Sequence, residues 1–429
     1  MQKAVFSVFL ILFSLSFPGG CISQIPESNV VKVVKTEDGF ELLLNKKPFY
    51  IKGVGVGEGF GRSRENYLKL AKTMGANTVR TWGTDQGTKR YLDEAHRQGL
   101  YVDAGVWFNY VDAKKTVSYV GDNDYLRKKE KETLDYVRRF KDHPGVLLWN
   151  LGNEVMIFTP DPKEKIAFCE FLEKMIQKVH AIDPNHPVVY TSANVAEIPY
   201  LKSYVPSLDI VGMNMYGSVI AADSRWQGLG FEIPYLITEF GPLGSWDLPK
   251  DRHGKVTEQS DYVKASQYKN HWNLIKERKG KNIGGFAFHL GETTQESLTY
   301  WNLNDHEYKK ESFVMMQKLF TGIDDLNHAP KIQSFTGIPE KVKAGASFKA
   351  ELRANDPEED ELSYDFKVST TEEGVLAYFV NEEVPVKVEV RGQQATLSTP
   401  SKPGIYRVYG FARDGKSNSS VTSRTFKVE

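Results

Sequence analysis

The feature that most constrains this chain is an alternation. Between about residues 50 and 320, eight short apolar runs of strand character are separated by stretches of helical period. The runs are Tyr50 to Val56, Asn77 to Trp82, Leu100 to Trp107, Val146 to Leu151, Pro187 to Thr191, Asp209 to Asn214, Tyr235 to Phe240 and Ile283 to Leu290. Helical patterns fill Arg64 to Met74, Thr88 to Gln98, Tyr125 to Lys141, Lys163 to Ala181 and Ser260 to Arg278, with short fifth and sixth intervals and a last helix over Glu307 to Phe320. Parallel strands need a crossover to return the chain to the same edge, so eight such units in about 270 residues predict an α/β fold, a (β/α)8 TIM barrel. A doubly wound dinucleotide-binding sheet is the competitor. Its fingerprint is missing: Gly53, Gly55, Gly57, Gly59 and Gly61 never satisfy G-x-G-x-x-G, and the second run ends Arg80-Thr81-Trp82 without a ribose-binding acid. These glycines read as a flexible or closely packed loop after the first strand.

The flanks read differently. Lys3, the apolar and serine stretch Ala4 to Phe17, and Pro18-Gly19-Gly20-Cys21 read as a signal peptide over residues 1–21, too short to span a membrane. Small residues before Cys21 resemble a bacterial lipoprotein cleavage box, with Pro18 in place of the usual Leu. The expectation is therefore an acylated Cys21 that anchors the chain to a membrane of the bacterial cell envelope, with plain secretion as the alternative. Cys169 falls in a helical pattern and reads as a small buried filler. From about residue 31 a hairpin, turning at Asp38-Gly39, leads into the barrel, which is placed over 22–323.

A linker over 324–330 precedes a module over 331–429 that favours short strands: Ser347 to Leu352, Leu362 to Val368, Val384 to Val390, Gln394 to Ser398, Gly404 to Arg413 and Val421 to Val428. The pattern predicts an all-β, immunoglobulin-like sandwich of about seven strands. This module is expected to fold by itself and to supply no catalytic residue. Its stretch Asn355 to Glu361, NDPEEDE, resembles the acidic turn of cadherin-like surface modules, some of which hold calcium; a solvated acidic turn is the preferred reading.

Charge narrows the function. The 429 residues carry 55 Lys plus Arg against 55 Asp plus Glu, so no whole-chain field attracts nucleic acid. Barrel active sites sit at the C-terminal ends of strands, and two carboxylates stand there. Strand four runs into Asn153-Glu154 and strand seven into Glu239, 85 residues apart, three βα units of about 28 residues each. Glycoside cleavage with retention needs two such carboxyls about 5 to 5.5 Å apart, one protonated to assist the leaving oxygen and one ionised to attack. Glu154 then needs a raised pKa, and Glu239 needs donors, for which Arg80 and Tyr216 are placed. Asn153 can bond a sugar hydroxyl. Trp82, Trp107, Tyr110, Trp246 and Trp301 fall on rim loops and can stack on sugar rings. No cofactor or metal is expected, and the chain is expected to be a monomer whose partner is its carbohydrate substrate.

The stretches LNKKPFYIKGVG, GANTVRTWG, HPGVLLWNLGNE, DIVGMNMYG and YLITEFG resemble, in order, the catalytic barrel of glycoside hydrolase family 2 within the clan A retaining glycosidases, over about residues 43 to 320. Families 5 and 72 are relatives in this resemblance. It implies Glu154 as acid/base and Glu239 as nucleophile, with Asn153, Arg80 and Tyr216 in support. The chain departs from the pattern in having only a hairpin where family 2 enzymes carry β-sandwich domains. It has Trp107-Phe108-Asn109 where family 5 usually has a His, and Phe288-His289 where a Trp commonly ends strand eight. His289 is thus a candidate sugar-site residue. The expected function is a retaining β-glycosidase on a neutral poly- or oligosaccharide. The alternatives are a β-glucan transglycosylase using the same two glutamates and a non-catalytic glycan-binding lipoprotein.

Overall fold

The computed structural model of the protein describes residues 28–57, 66–111, 117–193, 195–217, 219–372 and 380–429. The segment read as a signal peptide, with Cys21, lies outside the described residues, as does Arg64. Eight parallel strands close into a barrel: β1 (Ile51–Gly55), β2 (Thr78–Arg80), β3 (Tyr101–Val106), β4 (Val146–Asn153), β5 (Val188–Ser192), β6 (Ile210–Asn214), β7 (Tyr235–Phe240) and β8 (Asn282–Ala287). Every residue of β4 to β8 is buried. Helices cover the outside of a parallel barrel and side chains fill the inside, so neither face meets water, which is why these strands read as continuous apolar runs.

The helices are α1 (Tyr67–Thr73), α2 (Thr88–Arg97), α3 (Asp124–Phe140), α4 (Pro162–Ile182), α5 (Ile198–Tyr204), α6 (Val219–Gly228), α7 (Asp261–Glu277) and α8 (Glu311–Thr321). Their starts are written locally. Asn123, Asp161 and Ser260 accept from the amides of Leu126, Lys163 and Val263, satisfying donors that have no intrahelical partner. Cys169 is buried on α4.

Three differences from the expectation bear on the site. β4 continues past Leu151 to Asn153. The eighth strand stops at Ala287, so Phe288 to Leu290 crosses the barrel mouth as loop. The last helix begins at Glu311, because Asn304–Asp305 pairs with Tyr308–Lys309 in a small hairpin.

The N-terminal strands Val31–Thr36, Gly39–Leu44 and Lys47–Pro48 form an antiparallel sheet. Val31, Leu42 and Leu44 pack with Ile51, Leu147, Leu148, Val189, Ile210, Leu236 and Ile283, which stand near the entry ends of the barrel strands. The hairpin therefore stoppers the end opposite the active-site rim.

After the linker come β9 (Lys331–Thr336), β10 (Lys341–Val342), β11 (Ser347–Asn355), β12 (Ser363–Ser369), β13 (Val388–Arg391), β14 (Gln394–Ser398), β15 (Gly404–Arg413) and β16 (Ser419–Val428). They form two four-stranded sheets, β9-β11-β14-β13 and β10-β16-β15-β12, around a core that includes Phe335, Leu352, Phe366, Leu397, Val408 and Phe426. Among the described residues this is eight strands where about seven are expected; β9 and β10 are the ones with no strong apolar signal.

The module grips the barrel through the loops that follow β7 and β8. Arg413 donates to Asp305 at 2.7 and 2.9 Å, the Leu298 amide donates to the Tyr409 hydroxyl at 3.1 Å, and Arg407 donates to the Val256 carbonyl at 2.9 Å. Between these loops Glu258 accepts from Lys264 at 2.6 Å and from Ser297 and Thr299. Burial works to raise the pKa of Glu258, but the charges of Lys264 and Lys310 outweigh it and hold the group at about 2. Among the described residues no helix is long and apolar enough to cross a membrane. A chain ending at Ile323 would leave Asp305, Leu298 and Val256 without these partners. We expect calorimetry to give it a Tm lower than the full chain by about 5 °C or more; an unchanged Tm would mean that the grip adds nothing.

Candidate active site

β2, β4 and β6 each end with a polar side chain, Glu239 stands one residue before the end of β7 on the same rim, and these meet. Arg80, buried to 1 % exposure at the end of β2, donates to Glu239 Oε1 at 2.6 Å, the Thr238 carbonyl at 3.1 Å and Asn153 Oδ1 at 2.7 Å. Its Nε stands 3.7 Å from Asp103, which is wholly buried on β3. Trp82 Nε1 donates to Glu239 Oε1 at 2.8 Å, and the Tyr216 hydroxyl donates to Oε2 at 2.6 Å. Glu239 thus receives three side-chain donors, one of them cationic, which is the setting of an ionised carboxylate. Burial, and then the neighbouring Glu239 charge, push the Tyr216 phenol far above its usual range, so it remains a donor.

Glu154 is set differently. The chain turns sharply after β4, with Gly152 at φ +93° and Glu154 itself at φ +54°, a left-handed conformation uncommon for a side chain of its size. A Cβ on Gly152 would stand 3.1 Å from the Phe108 side chain, so a larger residue would be strained by φ and crowded as well. The turn is fixed by the Glu154 amide donating to the Thr191 carbonyl at 2.8 Å. The Glu154 carboxyl accepts one bond, 2.6 Å from Asn214 Nδ2, and Asn214 is oriented by Thr238 at 2.8 Å. Burial, followed by the charge of Glu239, raises its pKa from 4.5 to about 8. Asn214 also reaches Asn153 Oδ1 at 3.2 Å, so hydrogen bonds run from Glu154 through Asn214, Asn153 and Arg80 to Glu239.

The two carboxyls line one cleft of about 990 Å³. All five expected rim aromatics, Trp82, Trp107, Tyr110, Trp246 and Trp301, line it as well, and Phe158, Phe288, Asn214 and Gln295 join them. Trp107 touches Tyr110 edge to face at 5.4 Å, and Tyr110 touches Phe158 likewise at 5.6 Å, forming one aromatic wall. Trp246, Tyr216 and Trp301 form another. Every described residue of the cleft lining belongs to the barrel.

Two candidates differ from their expected places. His289 does not line the cleft: it is 1 % exposed, its ring packs 6.0 Å from Trp82, and burial lowers its pKa to about 3. Phe288 faces the cleft, and the next side chain goes behind the wall, where His289 is a neutral packing residue. Arg80 lies beneath the cleft rather than in its lining, so it is a positioning residue for Glu239 and Asn153. Asn214 was missed, although its place at the last position of the sixth run was the available signal. Asp103 and Thr238 lie within strand runs, where nothing local distinguishes them.

The raised pKa of Glu154 depends in part on Glu239. Carbon-13 NMR of the labelled side-chain carboxyls should show Glu154 titrating near pH 8 in the native chain and lower in Glu239→Gln, where the neighbouring charge is gone. A Glu154 titration unchanged by that substitution would contradict the coupling.

Comparison with known proteins agrees with the barrel fold. Residues 34–241 match the model of the TIM barrel domain of glycosyl hydrolases family 2. A β-glucuronidase of Paenibacillus borealis is 23% identical over 301 residues, covering 64% of this chain and 48% of that protein. The chain spans about half the length of the curated relatives it matches, or somewhat less. Among solved structures, a family 2 β-galacturonidase from Eisenbergiella tayi bound to galacturonate superposes with a TM-score of 0.55 at 16% identity, covering 69% of this chain and 54% of that one. A Bacteroides uniformis β-glucuronidase superposes with a TM-score of 0.52 at 12% identity over 93% of this chain and 48% of that one. Residues 34–241, from the N-terminal hairpin to the strand that carries Glu239, are thus similar to the TIM barrel domain of the glycosyl hydrolases family 2.

Proposed function

We propose that the chain is a retaining β-glycosidase in which Glu239 is the nucleophile and Glu154 the acid/base. The observation that carries this reading is the unequal setting of the two carboxyls, Glu239 fixed by three donors and Glu154 held protonated near neutral pH. Glu239 attacks the anomeric carbon as the bond to the leaving oxygen breaks, and the Glu154 proton goes to that oxygen. Glu154, now ionised, takes a proton from water, which attacks the same carbon and releases Glu239. Tyr216 and Trp82 orient the nucleophile, and Asn153 and Asn214 face the sugar hydroxyls near it.

The relatives are named for uronic acid sugars, whose carboxylate calls for a cation. Among the described lining residues there is no Lys or Arg, and Asp85 and Asp247 are present instead. We therefore favour a neutral glycone. A panel of aryl β-glycosides should show hydrolysis of a neutral glycoside at least tenfold faster, by kcat/KM, than of the glucuronide and galacturonide; the reverse order would overturn the neutral assignment. For the C-terminal module, the strand order β9-β11-β14-β13 facing β16-β15-β12 supports an immunoglobulin-like reading.

Loss of each acid should leave a different chemistry. Glu239→Ala should lower kcat by about 10³-fold or more, with azide restoring turnover to an inverted product. Glu154→Ala should spare substrates with activated aryl leaving groups, and azide should give a retained product. Near-normal activity in Glu239→Ala would rule the mechanism out. The alkaline limb of the wild-type profile should fall near pH 8 for poor leaving groups, as Glu154 loses its proton.

We also propose that Cys21 is acylated after removal of residues 1–20, on the strength of the Gly19-Gly20-Cys21 junction. Mass spectrometry of the mature N-terminus should find a lipidated cysteine; an unmodified terminus beyond residue 21 would leave plain secretion.

A further inference from the structure

We propose that a calcium ion binds where the linker meets the C-terminal module, held by Asp356, Asp360 and Asp414 with oxygens of Asn327 beside them. One carboxylate oxygen from each of the three aspartates lies within 4.8 Å of the other two. Asp356 and Asp414 are buried, at 8 % and 4 % exposure, and Asp360 is partly buried. The turn Asn355 to Glu361 is therefore not simply solvated. Three carboxylates gathered this closely repel one another, and the ion pairs among the described residues bring only the exposed Lys416, whose Nζ is 4.0 Å from Asp360.

The buried oxygens of this cluster are unevenly satisfied. Asp356 Oδ1 accepts from the amides of Glu358 and Asp360, while its Oδ2 is buried without a hydrogen-bond partner among the described residues. Asn418 is wholly buried against Asp414, with its amide N 2.8 Å from Oδ1 and its Nδ2 2.9 Å from Oδ2. Among the described residues only one end of this side chain is satisfied. Its Oδ1 has no partner, while its Nδ2, with two hydrogens to give, faces four oxygens: Asp414 Oδ2, Asn327 Oδ1, and the carbonyls of Asn327 at 3.3 Å and His328 at 3.4 Å.

The donor set selects the ion. Carboxylates, amide oxygens and backbone carbonyls without a nitrogen or sulfur ligand suit a hard cation, and irregular placement on two turns and a linker suits calcium better than the strict octahedron of magnesium. Asn327 also bonds Asp360 at 2.8 Å, and the following His328 and Ala329 bond Glu311 at the start of α8. The ion would therefore fasten the linker to both turns of the module, and through Glu311 to the barrel. None of its ligands lines the cleft.

The test uses the full chain, stripped with a chelator and titrated with calcium chloride by calorimetry. One site is expected, with Kd of about 10⁻⁶ to 10⁻³ M, weaker binding of magnesium and a rise in Tm on saturation. Asp414→Asn should weaken calcium at least tenfold. Asp360→Asn, at a more exposed position, tolerates change better and should do the same should Asp414→Asn not fold. No calcium binding to the stripped chain, binding unchanged in Asp360→Asn, or magnesium bound as tightly as calcium would overturn the proposal.

Discussion

The contact between Arg80 and Glu239 organises the site. A guanidinium at 1 % exposure is costly to bury, and this one is offset by Glu239, Asn153, the Thr238 carbonyl and the nearby Asp103. Removing one partner of such a pair costs about 3 to 5 kcal/mol, because the other charge is left buried and uncompensated. The barrel makes the pairing possible: β2, β4 and β7 deliver Arg80, Asn153 and Glu239 from far apart in the chain to one rim. Asp103 is pushed up to about 6 by burial, against the pull of Arg80, so its share of the compensation is smaller than its position suggests.

Around that contact the two glutamates are made unlike. Glu239 is near the Arg80 charge and receives two further donors, whereas Glu154 sits on a left-handed turn with one amide donor and a neighbouring negative charge. The turn has a structural reason. Gly152 and Glu154 both need positive φ for β4 to end by directing its last side chain into the cleft, and Thr191 on the neighbouring strand holds the backbone there. A group with its pKa near 8 can give a proton and take it back at neutral pH.

Much of this was legible in the residues. Parallel, fully buried strands produce unbroken apolar runs, so β7 ran from Tyr235 to Phe240 as expected, and the other strands shifted by at most a few residues. The rim rule then pointed to Glu154, Glu239, Arg80, Asn153 and Tyr216, all of which meet. What was not legible depends on direction rather than position. Adjacent residues Phe288 and His289 take opposite sides of the cleft wall, and no local pattern says which faces the sugar. The hairpin over Asn304 to Lys309 overrode helical periodicity, and the grip of Arg413 on Asp305 joins residues too distant for any spacing to reveal.

The central claim is that Glu239 forms the covalent bond and Glu154 moves the proton. The most direct measurement is the mass of the protein after incubation with a neutral 2-deoxy-2-fluoro glycoside bearing a good leaving group, followed by peptide mapping. The account predicts one added glycosyl unit, placed on Glu239 within the peptide that carries Thr238 and Phe240. A label on Glu154, or an inverted product released by the wild type from an ordinary substrate, would contradict it.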